Sequence, residues 1–240
     1  MSAAEVRPCG DDRVLSLRHI TKTYNTGELA VPVLKGISFD IYRGQFVGIL
    51  GTSGSGKSTM LNILGMLDVP TGGEYTLEGI AVGSLADREQ AAIRNRKIGF
   101  VFQSFNLFSY LTVEQNIEVP MIYARVPGRI RRVRALELAK RVGLGHRLGH
   151  RPTQLSGGEC QRVAIARSLG NNPAFILADE PTGNLDEKTS DEIMELFHQL
   201  NREQGVTIVM VTHNPALGPH YDKIIRLRDG RIVTSEDTHI

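Results

Sequence analysis

The sequence predicts an α/β protein. Its core is a parallel sheet carrying a phosphate-binding loop, with an antiparallel β subdomain on the N-terminal side and an α-helical subdomain inserted into the core. Three observations predict this. First, Gly51-Thr52-Ser53-Gly54-Ser55-Gly56-Lys57-Ser58-Thr59 fits Gly-x-x-x-x-Gly-Lys-Ser/Thr, with the apolar run Phe46–Leu50 before it and Met60, Leu61, Ile63 and Leu64 at helical spacing after it. Second, three later apolar runs end in polar side chains: Ile98–Phe102 at Gln103, Ala174–Ala178 at Asp179-Glu180, and Val206–Thr212 at His213. Short apolar runs of this kind suit buried parallel strands. Third, short extended stretches precede the loop, and residues from about Thr112 to Leu148 read mostly as helix.

A chain of 240 residues makes one large domain, or a core with an inserted subdomain. With 41% hydrophobic and 22% charged residues it can build a sizeable core. A net charge of +2 gives no strong general pull toward nucleic acid, and no nucleic-acid partner is expected. Cys9 and Cys160 are too few for a disulfide framework and lack metal-ligand spacing, which fits a reducing compartment. No signal-peptide core opens the chain, and no run approaches the roughly 18 apolar residues of a membrane span. The chain is therefore expected not to cross a bilayer by itself, which leaves a membrane-embedded partner open.

Residues 1–12 are polar and read as a flexible terminus. Val14–Leu17 alternates as a strand does, Thr21–Tyr24 closes it, and a turn is expected around Asn25-Thr26-Gly27. Val33–Ile41 reads as the next strand, and Arg43-Gly44 turns into the strand before the loop. Beyond the loop helix, Pro70–Gly73 is a turn, and Glu74–Leu77 with Glu78-Gly79 suggests a short hairpin. Leu85–Arg96 reads as a charged helix. Within the helical stretch, Arg129, Arg131, Arg132 and Arg134 form a basic run that reads as a solvated face rather than a nucleic-acid site. Ser156, with Glu159 three residues on, has the capping-box pattern and opens a helix to about Leu169. Asp186–Gln204 is an amphipathic helix closed by Gly205. A last hairpin turns at Asp229-Gly230.

Phosphate oxygens are bound well by several backbone N–H groups converging on one point. A Gly-rich loop lets the main chain come that close, and the helix start adds its dipole. In such a loop Lys57 reaches the β- and γ-phosphates and the Ser58 hydroxyl ligates Mg²⁺. In open parallel sheets ligands sit beyond the carboxyl ends of the strands, so Gln103, Asp179, Glu180 and His213 converge on the loop. Asp179 is placed to hold Mg²⁺, and Glu180 to polarise the attacking water. Gln103 could offer its amide oxygen to metal or water, and His213 could touch the γ-phosphate. Tyr24 suits either an adenine face or a core position. Ser156-Gly157-Gly158-Glu159 is either ordinary helix capping or a second anion site. One γ-phosphate cannot easily use two helix starts of one compact chain. As an anion site, the Ser156 tip would therefore close over the loop of a second copy, giving a two-fold dimer with two nucleotides between the chains.

These motifs, in this order from about Val14 to Val233, resemble the ATP-binding subunit of ABC transporters. Gly51–Thr59 matches that family's Walker A, Gln103 its Q-loop, Leu155–Gln161 its signature, and Phe175–Asp179 with Glu180 its Walker B and catalytic glutamate. Asn184-Leu185-Asp186 matches the D-loop, His213 the H-switch and Tyr24 the aromatic A-loop. Ala178–Asp186 and Glu114–Pro120 are similar to the lipoprotein-releasing, macrolide-export and cell-division subgroup (LolD, MacB, FtsE). The resemblance implies a RecA-like P-loop NTPase core and β subdomain over 13–103 and 170–240, with the helical subdomain over about 104–169. It implies catalytic roles for Glu180, His213 and Gln103. ATP contacts would run from Tyr24, the whole Gly51–Thr59 loop, Ser156, Gly157, Gly158, Glu159 and Asp186, and Mg²⁺ ligands would be Ser58, Gln103 and Asp179. It implies a homodimer at the cytoplasmic face of the inner membrane, peripheral to an integral-membrane permease of the FtsX or MacB type and working with a possible periplasmic adaptor. The permease would dock near Gln103–Tyr110, where Phe105, Leu107 and Phe108 form either a groove or part of the helical packing. The function implied is an ATP-driven motor for export or extraction. The alternative is a mechanical regulator of periplasmic enzymes, as in the cell-division ATPases. Two residues depart from the usual pattern: Cys160 stands where Gln is commonest, which implies altered packing rather than lost hydrolysis, and Asn184 replaces the commoner D-loop start.

Overall fold

The computed structural model describes residues 12–26 and 29–237. The expected flexible terminus lies almost entirely outside the described residues, as do Cys9 and Gly27 of the expected turn. The first strand, β1 (Arg13–Thr26), is longer than the sequence pattern implies, and Thr21–Tyr24 continues it instead of ending it. The reason is a kink absorbed inside the strand. His19 takes φ 51, the register against β2 (Leu29–Tyr42) shifts between Leu17 and Ile20, and the His19 N–H donates to Ser38 Oγ at 2.8 Å. Bulging breaks the in–out alternation that marks a strand in sequence, so only its first half is legible there.

β3 (Phe46–Gly51) leads into α1 (Lys57–Leu64). Then come β4 (Gly72–Leu77), β5 (Ile80–Ala81), α2 (Asp87–Lys97) and β6 (Ile98–Phe102). The helices α3 (Val113–Tyr123), α4 (Gly128–Arg141) and α5 (Gly157–Ser168) follow. The chain ends with β7 (Phe175–Asp179), α6 (Glu187–Gln204), β8 (Ile208–Thr212), β9 (Lys223–Arg228) and β10 (Arg231–Asp237). The strands form two sheets. One is antiparallel, in the order β2-β1-β4-β5; the other runs β10-β9-β3-β8-β7-β6, parallel except for the β10–β9 pair.

The parallel sheet is buried on both faces, which is why its strands are continuously apolar. In β8, Val209 and Val211 join the apolar layer made with α1 and the antiparallel sheet, while Ile208 and Met210 face the layer made with α3–α6. All the parallel strands point their carboxyl ends the same way. The loop after β3, Gln103 after β6, Asp179 at the end of β7 and His213 after β8 therefore lie along one rim.

Candidate functional site: a nucleotide cavity on the strand rim

The loop's shape comes from its glycines. Gly54 and Gly56 take φ +77 and +103, and a Cβ on Gly56 would come within 2.9 Å of Leu34 Cδ2. α1 begins at Lys57 with no side chain capping its first-turn N–H groups. Those donors therefore remain available to an anion. The Lys57 ammonium is held by the loop's own Gly51 and Thr52 carbonyls, at 2.6 and 2.8 Å. From outside, the β9–β10 turn braces the loop: the Gly230 N–H donates to the Ser55 carbonyl at 3.1 Å, and the Gly230 carbonyl accepts from Lys35 N–H at 2.8 Å. The Asp229-Gly230 turn is visible in the sequence, but its contact with a loop 175 residues earlier is not.

A cavity of about 660 Å³ opens above the loop. Ser53, Gly54, Gly56, Lys57, Ser58 and Thr59 line one side, Glu180 and His213 the other, with Val33 contributing from β2. Val33 carries no polar signal, and the sequence reading did not single it out for the site. Glu180 sits at φ 43 just past β7, its N–H bonded to the Val211 carbonyl at 2.9 Å. The His213 Nδ1–H donates to Glu180 Oε1 at 2.6 Å. Asp179 lies half-buried behind them. Burial, and then the Glu180 charge, push its carboxyl above the ordinary range, while Lys57 pulls it down. A carboxylate destabilised in this way is relieved by a cation. Together with the open first-turn N–H groups and the buried Ser55 hydroxyl, which has no partner, the residues fit a triphosphate with its divalent ion.

The other expected residues fall elsewhere. Gln103 does not line the cavity. Its Nε2 donates to Asn184 Oδ1 at 3.0 Å, and Asn184 Nδ2 donates back to the Gln103 carbonyl at 3.2 Å. Tyr24 also lies off the cavity wall. Its hydroxyl donates to Asp68 Oδ2 at 2.7 Å, and the Lys22 ammonium sits 4.8 Å from its ring centre. Ser156 caps α5: its Oγ accepts from Glu159 N–H at 3.2 Å, and its own N–H donates to Glu159 Oε2 at 2.8 Å. The Ser156 N–H holds the Glu159 carboxyl below its usual range against burial, with help from Arg147. Asp186 caps α6 through Thr189 N–H at 3.0 Å. Gly158 is required here, since a Cβ would come within 2.5 Å of Thr189 Cγ2. The Ser156 tip thus packs beside the Asp186 turn, and neither contributes to the wall of this chain's own cavity.

Comparison with known proteins decides the family. A family model described as ABC transporter matches residues 34–183. The chain belongs to the ABC transporter family. It is an ATP-binding, ATP-hydrolysing subunit of that family. It is 57% identical to an uncharacterised ABC transporter ATP-binding protein of Thermotoga maritima, over 92% of this chain and 94% of that one. It is 52% identical to the macrolide export ATP-binding/permease protein MacB of Syntrophobacter fumaroxidans, over 91% of this chain but only 31% of that longer protein. Among solved structures, it resembles the ATP-binding cassette MJ0796 in a dimeric post-hydrolysis state bound to ADP and Pi. The TM-score is 0.84 and the identity 48%, over 94% of this chain and 99% of that one. A protein identical to MJ0796 by name comes from Methanocaldococcus jannaschii. The fold class read from the sequence, an ABC-type P-loop ATPase, agrees with these likenesses.

Proposed function

We propose that this ABC ATPase is the motor of a membrane exporter, in which two copies close on two Mg-ATP and hydrolysis reopens them. The observation that carries this is a division of labour within one chain. The cavity collects the loop, Glu180 and His213, whereas the capped Ser156 tip stays exposed beyond its wall. A second copy would supply the missing tip. The Ser156 Oγ already accepts from Glu159 N–H, so its O–H and the exposed Gly157 N–H are left to donate to an anion.

In the site, Lys57 and the loop N–H groups bind the phosphates, and Thr59 and Ser58 lie beside them. Ser58 and Asp179, with Gln103 turning in from Asn184, would hold Mg²⁺, which when bound would neutralise charge on the phosphate oxygens. The Glu180 carboxylate orients the attacking water, and the His213 imidazole holds that carboxylate and reaches toward the terminal phosphate. Tyr24 would receive the base on the ring face not taken by Lys22. Asp186 stands at the dimer face beside the signature tip. Contacts made only when phosphate is sandwiched bias the closed dimer, and losing the terminal phosphate releases it.

The permease would dock in a second cavity of about 660 Å³, lined by Phe100, Phe102, Phe108, Pro120, Tyr123 and Arg167. Leu107 turns inward against the helical core instead, while Phe108 and Tyr110 remain exposed. Half-buried Arg167 holds the intervening turn by donating to the Asn106 and Phe105 carbonyls at 2.6 and 2.9 Å. An apolar groove of this kind suits a short amphipathic helix. Among the described residues no helix is long and apolar enough to cross a membrane. The chain would therefore sit peripherally on the cytoplasmic face of the inner membrane, under a permease of the MacB or FtsX type working with a periplasmic adaptor. The MacB relatives, which carry ATPase and permease in one longer chain, support export.

The test is ATP turnover by the complex with its permease in vesicles. Stimulation by an exported compound, lost in Lys57→Ala together with ATP affinity, is expected. Turnover indifferent to every exported compound would overturn the exporter reading and leave a motor that moves no cargo.

A further inference from the structure

At the opposite end of the parallel sheet from the loop lies a cavity of about 550 Å³ with three arginines on its wall: Arg43 from the β2–β3 turn, and Arg134 and Arg141 from α4. Its floor is the main chain entering β7 and β8, at Ala174, Val206 and Thr207. Because β3, β7 and β8 are parallel, this floor stands at their amino ends and the nucleotide cavity at their carboxyl ends.

The arginines are oriented there without being fully neutralised. Arg141 donates to the neutral amide oxygen of Gln204 at 3.0 Å and has no carboxylate partner among the described residues. Arg134 donates to the Leu169 carbonyl at 3.4 Å and to Asn172 Oδ1. Its one acid, Glu137, is 3.7 Å away and more than half exposed. Arg134 Nε is buried with no acceptor at all. Arg43 is paired, to Glu78 at 2.7 Å, but Glu78 is shared with Lys97 at 2.6 Å. Burial, and then the Arg141 charge, hold the Arg134 guanidinium below its ordinary value. Two guanidiniums on one concave wall, with amides where salt bridges would stand, are relieved by an anion.

The geometry points to a second anion site, in which Arg134, Arg141 and Arg43 bind the phosphate group of a phosphorylated ligand and tie α4 to the base of the sheet. Guanidinium forks match phosphate oxygens two at a time, and a dianion answers this much charge better than a single carboxylate does. The volume admits a phosphomonoester as large as a nucleotide. The arginine run in α4, which the sequence presents as a solvated face, thereby divides into a cavity side and an outer side.

The experiment uses the full chain carrying Lys57→Ala, which removes phosphate binding at the loop. Inorganic phosphate is titrated by calorimetry, and vesicles of phosphatidic acid against phosphatidylcholine are tested by co-sedimentation. The same is done with Arg141→Gln or Arg129→Gln added. Arg141 and Arg129 are both exposed, so neither change threatens the fold. Phosphate binding that weakens about tenfold or more with Arg141→Gln and is unmoved by Arg129→Gln is expected if the ligand is soluble. Phosphatidic acid binding with the same pattern identifies a lipid headgroup as the source. Binding of neither probe, or binding indifferent to Arg141→Gln, would overturn the site.

Discussion

His213 Nδ1 stands 2.6 Å from Glu180 Oε1, joining the ends of two neighbouring parallel strands across the mouth of the nucleotide cavity. The bond puts the proton on Nδ1, since the carboxylate can only accept, and leaves Nε2 out of the pair, on a ring that lines the cavity. Glu180 itself sits in a left-handed backbone conformation, φ 43, which few non-glycine residues adopt, with its N–H bonded to the Val211 carbonyl at 2.9 Å.

Glu180→Gln should therefore abolish steady-state ATP turnover and leave ATP binding intact. His213→Ala should lower kcat by about 10²-fold or more with a much smaller change in KM. Turnover and nucleotide affinity measured side by side check both. A His213→Ala enzyme with wild-type kcat would remove the pair from the chemistry.

The reciprocal amide pair of Gln103 and Asn184 leads to a second expectation. Asn184 is exposed, so Asn184→Ala should fold normally and release the Gln103 side chain. Freed of a bond that holds it off the cavity, Gln103 should turn in toward the metal more readily, with kcat at or above wild type and ATP affinity unchanged; a tenfold fall in kcat would contradict this. Stopped-flow hydrolysis with fluorescent-nucleotide titration separates the two effects.

Acid should unfold the chain through identifiable carboxylates. Burial alone would raise Asp68, but hydrogen bonds from Lys22, Tyr24 and Val69 N–H outweigh it and hold the group below its usual range. Glu78 and Asp40 are likewise below theirs, held by Lys97 with Arg43 and by Arg18. A depressed carboxylate contributes stability above its unfolded pKa, and that stability disappears as pH falls through the lower folded value. Tm should thus drop as pH goes from about 5 toward 3, and more steeply in wild type than in Asp68→Asn.

Cys160 should be chemically quiet. It is buried, its Sγ lies 3.6 Å from the Pro152 carbonyl, and burial, then the Glu159 charge, raise its pKa. In a Cys9→Ser background, alkylation at pH 8 should be far slower in the folded chain than in denaturant. Cys160→Ala should leave kcat within about twofold, because the side chain is buried beside the Pro152 carbonyl and does not line the nucleotide cavity.

Much of this was legible in the sequence because it is local. Loop, strand tips and caps each lie within a few residues: Gly51–Thr59, Asp179-Glu180, and Ser156 with Glu159. What was not legible depends on distance along the chain. The His19 bulge hides half of β1. Nothing near Gly230 announces that it braces Ser55, and nothing near Gln103 announces that it pairs with Asn184, 81 residues on. Leu107 and Phe108 are adjacent and both apolar, yet one packs inward and the other lines a groove, a choice made by the helices behind them.

The proposed sandwich of ATP between two chains is tested most directly by the solution mass of the Glu180→Gln protein with and without Mg-ATP, alone and with Ser156→Arg added. Doubling of the mass with ATP, abolished by Ser156→Arg while each chain still binds nucleotide, is expected. A monomer at saturating ATP, or a dimer indifferent to Ser156→Arg, would contradict it.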